Sequence, residues 1–160
     1  MNTLIVLRHA KAAHVPGLAD RQRPLTDRGE RDAGRAGEAL KALGLSPDLV
    51  LCSPSERTRR TAELTLATLA PDAPVQIETD IYEAYPDELV ELIRRTGDEV
   101  STLLLVGHNP GALELVVNLT LARDLDKFPP GAYAVIETTE AWTDLGPGDG
   151  RLAHRWNPKD

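Results

Sequence analysis

The amino-acid sequence predicts an α/β protein: a three-layer α/β/α sandwich with a mostly parallel central sheet and an antiparallel C-terminal edge. Three observations lead to this class. Residues 3–7, 48–52 and 102–106 are short, near-continuous apolar runs, the pattern of strands covered on both faces. Segments with apolar residues at helical spacing alternate with them, which implies parallel strands joined through helices. Near the C-terminus the alternation stops, and Gly146-Pro147-Gly148-Asp149-Gly150 marks a turn between two strands.

Each element has its own signal. Residues 3–7 form the first strand. Thr26 offers an N-cap to a helix whose Ala33, Ala36, Leu40 and Leu43 share one face, and Gly44 stops it. Residues 48–52 are the second strand. Ser53-Pro54-Ser55-Glu56 opens the next helix, with Pro at its first position and Ser followed three residues later by Glu as a capping box. That helix runs to about Leu69, where Pro71 and Pro74 end it. Val75–Ile77 is a short strand. Pro86 begins a helix carrying Leu89, Leu92 and Ile93, closed by Gly97. Residues 102–106 form a buried strand, and Asn109-Pro110 caps a helix through Leu121. After Phe128-Pro129-Pro130-Gly131 comes a strand over Tyr133–Thr138. The final turn then joins a strand around Trp142 to one over residues 152–156.

Composition bounds the rest. A chain of 160 residues, 41% hydrophobic and 27% charged, is expected to form a single domain over residues 1–160. One cysteine, Cys52, excludes an internal disulfide framework and a thiolate zinc site. No apolar run approaches the length of a membrane span. The N-terminal segment lacks a basic region and reaches Arg8 too early for a signal peptide, so the expected location is cytoplasmic. Net charge is −7, which argues against nucleic acid or an acidic membrane as partner. Residues 1–60 nevertheless hold 11 Lys/Arg against 7 Asp/Glu, and the remainder 7 against 18. The basic first third suits a small anion, or reflects clustering on solvated helices.

In parallel sheets ligands bind beyond the carboxyl ends of the strands. Arg8 and His9 lie just past the first strand, Ser53 and Arg57 past the second, Glu83 past the third, and His108 past Val106. Four segments thus deliver two His, two Arg and a Glu to one edge. Arg57 also sits in the first turn of its helix, where the macrodipole disfavours a cation by several tenths of a kcal/mol. A bound anion at that helix N-terminus would remove the conflict. The alternative is a surface arginine paired with Glu56 or Glu63. Guanidinium groups match phosphate bidentately, and a neutral imidazole can attack phosphorus and carry the phosphoryl group. The remaining donors would neutralise charge on the equatorial oxygens. Gly107-His108-Asn109-Pro110-Gly111 lacks the ending of a Walker loop, and no acidic cluster suggests a two-metal clamp.

These residues resemble a known family. Leu7-Arg8-His9-Ala10 looks like the Leu-x-Arg-His-Gly signature of the histidine phosphatases, the phosphoglycerate-mutase-like superfamily. The segment from Ser53 to Ala62 is similar to its second-arginine region, and Gly107-His108-Asn109-Pro110 to its second-histidine motif. The resemblance covers about residues 3 to 120. The intervals between His9, Arg57 and His108 are too short for the helical insertion of the mutases, so the chain is most similar to the small SixA-type phosphohistidine phosphatases. Arg23-Pro24-Leu25-Thr26 also resembles the segment before their first helix. The resemblance implies that His9 is the nucleophile and that Arg8, Arg57 and His108 bind the phosphoryl oxygens. Arg23 would be an outer substrate contact. It implies no metal and no organic cofactor, and a phosphate-bearing partner, a phosphohistidine protein. Ala10 stands where the signature has Gly, adding a methyl beside the phosphate pocket. Larger members use an acid after the third strand as proton donor, a role that falls here to Glu83, with Asp80, Asp87 or no acid as alternatives.

A weakly placed acid favours phosphohistidine over alkyl phosphates, because imidazole is the easier leaving group. The same site could instead serve a small-molecule phosphomonoester, or bind phosphorylated partners without turnover. Cys52 ends a buried strand and reads as core. The Cys-to-Arg57 spacing is one residue short of the cysteine-phosphatase loop. His14 and His154 read as peripheral, Arg59 and Arg60 as solvent-facing, and Trp142 and Trp156 as packing of the terminal hairpin.

Overall fold

The computed structural model describes residues 1–159. Its core is one six-stranded sheet in the order β3-β2-β4-β1-β5-β6. The strands are β1 (Asn2–Arg8), β2 (Leu49–Cys52), β3 (Val75–Ile77), β4 (Thr102–Gly107), β5 (Tyr133–Thr138) and β6 (Arg151–Trp156). Pairing is parallel from β3 through β2 and β4 to β1, and antiparallel from β1 to β5 and β5 to β6. The helices are α1 (Asp27–Ala42), α2 (Glu56–Leu69), α3 (Pro86–Arg94) and α4 (Gly111–Thr120). This is the predicted class, with both faces covered.

The apolar runs are continuous because successive side chains serve different layers. In β1, Leu4 and Val6 pack with Leu89, Leu92 and Leu115 of α3 and α4. Ile5 and Leu7 point the other way, toward Ala36 and Leu40 of α1 and Leu66 of α2. In β4, Leu103 and Leu105 join the first layer, and Leu104 and Val106 the second. Burying each such side chain contributes about 1.5–3 kcal/mol. Between α1 and α2, Gly37 lies against the backbone carbonyl of Thr65, where a Cβ would collide. The Thr65 hydroxyl donates to Ala33 O at 2.9 Å across the same crossing.

The caps agree in part with expectation. Thr26 accepts from Gly29 N–H at 3.0 Å and starts α1. Asn109 Oδ1 accepts from Leu113 N–H at 3.3 Å over the first turn of α4. Glu88 accepts from Tyr85 N–H at 3.0 Å and closes the first turn of α3. α2 differs: its cap is Ser55, which accepts from Thr58 N–H at 3.3 Å, and Pro54 precedes the helix. Ser53 is thereby released for another partner. α3 also stops at Arg94, short of Gly97.

Trp142 is a correction. It belongs to a 3₁₀ turn, Trp142–Asp144, and the strand paired with β6 is β5. The indole is fully buried in the α3/α4 layer, and its N–H donates to Val100 O at 2.7 Å. A large ring with one donor takes a deep site that offers one acceptor, whatever the local backbone. The Gly146–Gly150 segment is held to the end of α4 by Gly148 N–H to Asn118 O and Gly150 N–H to Leu119 O. Trp156 does pack as expected, stacking on Tyr133 at a centroid distance of 5.3 Å. Among the described residues no helix is long and apolar enough to cross a membrane.

Candidate active site

The site lies at the carboxyl ends of the two central parallel strands. β1 and β4 run in register to Arg8 and Gly107, so the next residues, His9 and His108, emerge side by side. His9 N–H donates to Gly107 O at 3.0 Å, and the two imidazole centroids are 5.4 Å apart. α2 starts beyond β2 and carries Arg57 to the same place, with its Nη2 3.4 Å from His108 Nδ1. Arg8 Nη1 donates to Phe128 O at 3.0 Å. Arg8, His9, Arg57 and His108 are therefore gathered as the sequence implied.

The hydrogen bonds define the protonation of both rings. His9 Nδ1 is 2.8 Å from Ala10 O. A carbonyl only accepts, so Nδ1 carries the proton and Nε2 keeps its lone pair. Burial lowers the His9 pKa to about 3; the Ala10 bond opposes this, and Arg8, His108 and Arg57 add to it. In His108, Nδ1 faces a guanidinium that only donates, so Nε2–H donates to Ser53 Oγ at 2.7 Å. Burial, then Arg57, lowers the His108 pKa to about 4. Both imidazoles are neutral at neutral pH.

The arginines are the cations of the site, and both are partly unpaired. Arg57 is 6% exposed. The Nε–H groups of Arg8 and Arg57 are buried and find no acceptor among the described residues. Buried donors are otherwise satisfied almost everywhere in proteins, so these two are open to acceptor oxygens. Ala10 is fully buried, and its N–H donates to Thr61 Oγ1 at 3.0 Å, while Thr61 Oγ1–H donates to Arg57 O at 2.7 Å. One threonine thus ties the His9 loop to α2.

Other expected residues fall elsewhere. The carboxylate beside Arg57 is Asp20, from the loop before α1, and neither Glu56 nor Glu63 takes part. Arg60 is not simply solvated: it pairs with Glu30 at 2.9 Å and Glu63 at 3.0 Å. Arg23 donates from Nε to Ala13 O at 3.0 Å and pairs with Asp20 at 3.3 Å. Glu83 is exposed, with φ of 60°, and lines a cavity of about 380 Å³ with Asp20, Arg57, Tyr82 and His108. It makes no hydrogen bond or ion pair with the four gathered residues. Asp80 and Asp87 line a different cavity, beside Arg94. His14 and His154 are exposed. Cys52 is buried in the α1/α2 layer, which pushes its thiol up to about 12.

Asp20, Tyr82, Ser53 and Thr61 complete the site and were not singled out as its members by the sequence, apart from the position of Ser53 past β2. Nothing distinguishes Asp20 among 25 acidic residues until the loop is folded. Among the described residues no cluster of three or more His, Cys, Asp or Glu side chains could hold a metal ion.

Known proteins share this arrangement of elements. The profile of the histidine phosphatase superfamily, branch 1, matches residues 4–96. An uncharacterized Mycobacterium tuberculosis protein is 40% identical over 151 residues, covering 89% of this chain and 93% of its own. A structure from Nakamurella multipartitia that carries the name phosphohistidine phosphatase SixA superposes with a TM-score of 0.87 at 32% identity, over 99% of this chain and 97% of that one. The protein histidine phosphatase SixA complexed with tungstate has the same fold, with a TM-score of 0.85 at 22% identity over 98% and 97% of the two chains. On the profile match and the Mycobacterium relative, the chain belongs to branch 1 of the histidine phosphatase superfamily.

Proposed function

We propose that this protein is a phosphatase that works through a covalent phosphohistidine on His9, without a metal, and removes phosphate from phosphohistidine on a protein. The observation that carries the reading is the state of His9: neutral, its Nδ1–H fixed on Ala10 O, its Nε2 lone pair free, between two arginines with unpaired buried donors. Nε2 attacks phosphorus, the P–N bond of the substrate breaks, and the substrate imidazole leaves. Water then attacks phosphorus, the P–Nε2 bond breaks, and phosphate departs with the water's oxygen. Arg8 and Arg57 neutralise the equatorial oxygens and His108 flanks them, the electrostatic part of phosphoryl transfer.

The proton inventory supports the substrate class. Asp20, the carboxylate that contacts the site, is held well below the usual carboxylate range by Tyr82, Arg57 and Arg23, so it carries no proton to give. A protonated phosphoimidazole needs no external acid, whereas an alkyl phosphate does. A SixA of this fold has been captured with tungstate, a tetrahedral oxyanion like phosphate. Glu83 on the cavity wall favours a second reading, a small-molecule phosphomonoesterase using the same site.

The test is rapid quench with a phosphoramidate donor, followed by intact mass and site mapping. One acid-labile, base-stable phosphoryl group on His9, absent in His9→Ala, is expected. Turnover that survives in His9→Ala sinks the mechanism, and phosphate binding with neither adduct nor turnover makes the protein a binding module. Faster turnover of sugar phosphates than of a phosphohistidine protein selects the second reading.

A further inference from the structure

Arg57 presents two hydrogen-bonding forks, and one residue fills the first. Nη1 donates to the backbone carbonyl of Asp20 at 2.7 Å, and Nη2 donates to its carboxylate Oδ2 at 3.0 Å. The end-on fork is therefore closed by Asp20 alone. The side-on fork consists of Nε–H and the second Nη2 hydrogen. Its Nε–H is the donor buried without an acceptor, and its Nη2 hydrogen donates to His108 Nδ1 at 3.4 Å.

We propose that Asp20 is a positioning residue: by occupying the end-on fork of Arg57, it turns the unpaired Nε–H toward the oxyanion held beside His9 and His108. This inference rests on the reading of Arg57 as a phosphoryl ligand. Asp20 is itself braced for the task. Its Oδ1 accepts from Arg23 Nη1 at 3.3 Å, and Arg23 is anchored on Ala13 O. Its Oδ2 accepts from the Tyr82 hydroxyl. The Tyr82 ring lies edge-on to His108 at 5.3 Å, and the Arg21 guanidinium covers it at 4.5 Å. Side chains from the loop before α1 and from the segment after β3 thus converge on one carboxylate.

The Asp20 side chain is half exposed, and an ion pair so open to water contributes little stability by itself. Its value is geometric. An arginine free to rotate must be ordered at each binding event, and misorientation of a ligand-holding group costs affinity. The competing account makes Asp20 an internal anion that rivals the substrate for Arg57. The two accounts predict opposite signs when the carboxylate is removed.

The experiment measures inorganic phosphate as a competitive inhibitor of phosphoramidate turnover, with KM and kcat, in Asp20→Ala, Asp20→Asn, Arg57→Ala and the Asp20→Ala/Arg57→Ala pair. Positioning predicts that Asp20→Ala raises the phosphate inhibition constant and KM about tenfold, the scale of one charge-assisted hydrogen bond, with a smaller change in kcat. The Asn amide oxygen can take the place of Oδ2 and keep Arg57 and Tyr82 as donors, so Asp20→Asn restores phosphate binding to within about twofold. The double variant binds no more weakly than Arg57→Ala alone. Tighter phosphate binding in Asp20→Ala, or additive losses in the double variant, overturns the inference. If Asp20→Ala does not fold, Tyr82→Phe replaces it, with weakening of about twofold expected and no change overturning. Phosphate binding unchanged in Arg57→Ala would instead defeat the assignment of Arg57, and with it the role of Asp20.

Discussion

Thr61→Val isolates the bond that holds the His9 loop. The substitution is nearly isosteric and removes the hydroxyl from a fully buried side chain. Two hydrogen bonds are lost: Ala10 N–H to Oγ1, and Oγ1–H to Arg57 O. Arg57 O keeps its helical partner, so that loss is small. Ala10 N–H has no other acceptor in a residue without solvent exposure. Leaving it unpaired costs about 1–3 kcal/mol. At this chain length that corresponds to a fall in Tm of about 2–4 °C per kcal/mol. Because Ala10 O fixes the His9 tautomer, a loosened Ala10 also lowers the fraction of His9 ready to attack, so kcat falls while KM changes less. The assay pairs urea denaturation, read at constant m, with steady-state turnover of a phosphoramidate. Thr61→Ser, which keeps the hydroxyl, is expected to retain more activity than Thr61→Val. A Val variant with wild-type stability and turnover would refute the reasoning, since Ala10 would then need no acceptor from α2.

Two further outcomes follow from the same geometry. The pKa of His9 is lowered to about 3 and that of His108 to about 4, so between those values and about 6.5 the unfolded chain binds more protons than the folded one. Stability therefore declines as pH falls from about 6.5 toward 4. Turnover, corrected for substrate ionisation, shows no acid limb near 6.5. A limb at that pH would mean that the imidazoles titrate as exposed groups. Glu83→Gln is expected to leave phosphohistidine turnover within about twofold, because Glu83 makes no polar contact with the gathered residues. A loss of a hundredfold, the scale of general acid catalysis, would make it the proton donor.

The alternation of apolar strands and helices was legible because it is local. Leu4 and Ile5 must serve opposite layers, so both are apolar, and a run of such residues announces a strand covered on two faces. The positions of Arg8, His9, Arg57 and His108 follow from the same logic, since each ends a strand, lies just past one or sits in the first turn of the helix after it. The start of α2 is less local: Ser53 and Ser55 carry the same capping chemistry, and the hydroxyl of Ser53 is engaged by His108, 55 residues away. Trp142 lies in a 3₁₀ turn instead of a strand, which its neighbours in sequence do not announce: a single aromatic has no period, and its acceptor on Val100 lies 42 residues away.

The layers of this protein, and the strand ends that carry Arg8, His9, Arg57 and His108, are written in patterns of a few residues and can be read before the chain folds. How those side chains are held depends on the folded chain. The acceptor that selects the His9 tautomer is a backbone carbonyl with no sequence signal. Thr61 joins Ala10 across 51 positions and Asp20 joins Arg57 across 37. Hydrogen bonds between distant segments depend on where the sheet brings their ends together, so the orientation of the site became readable only once the chain was folded.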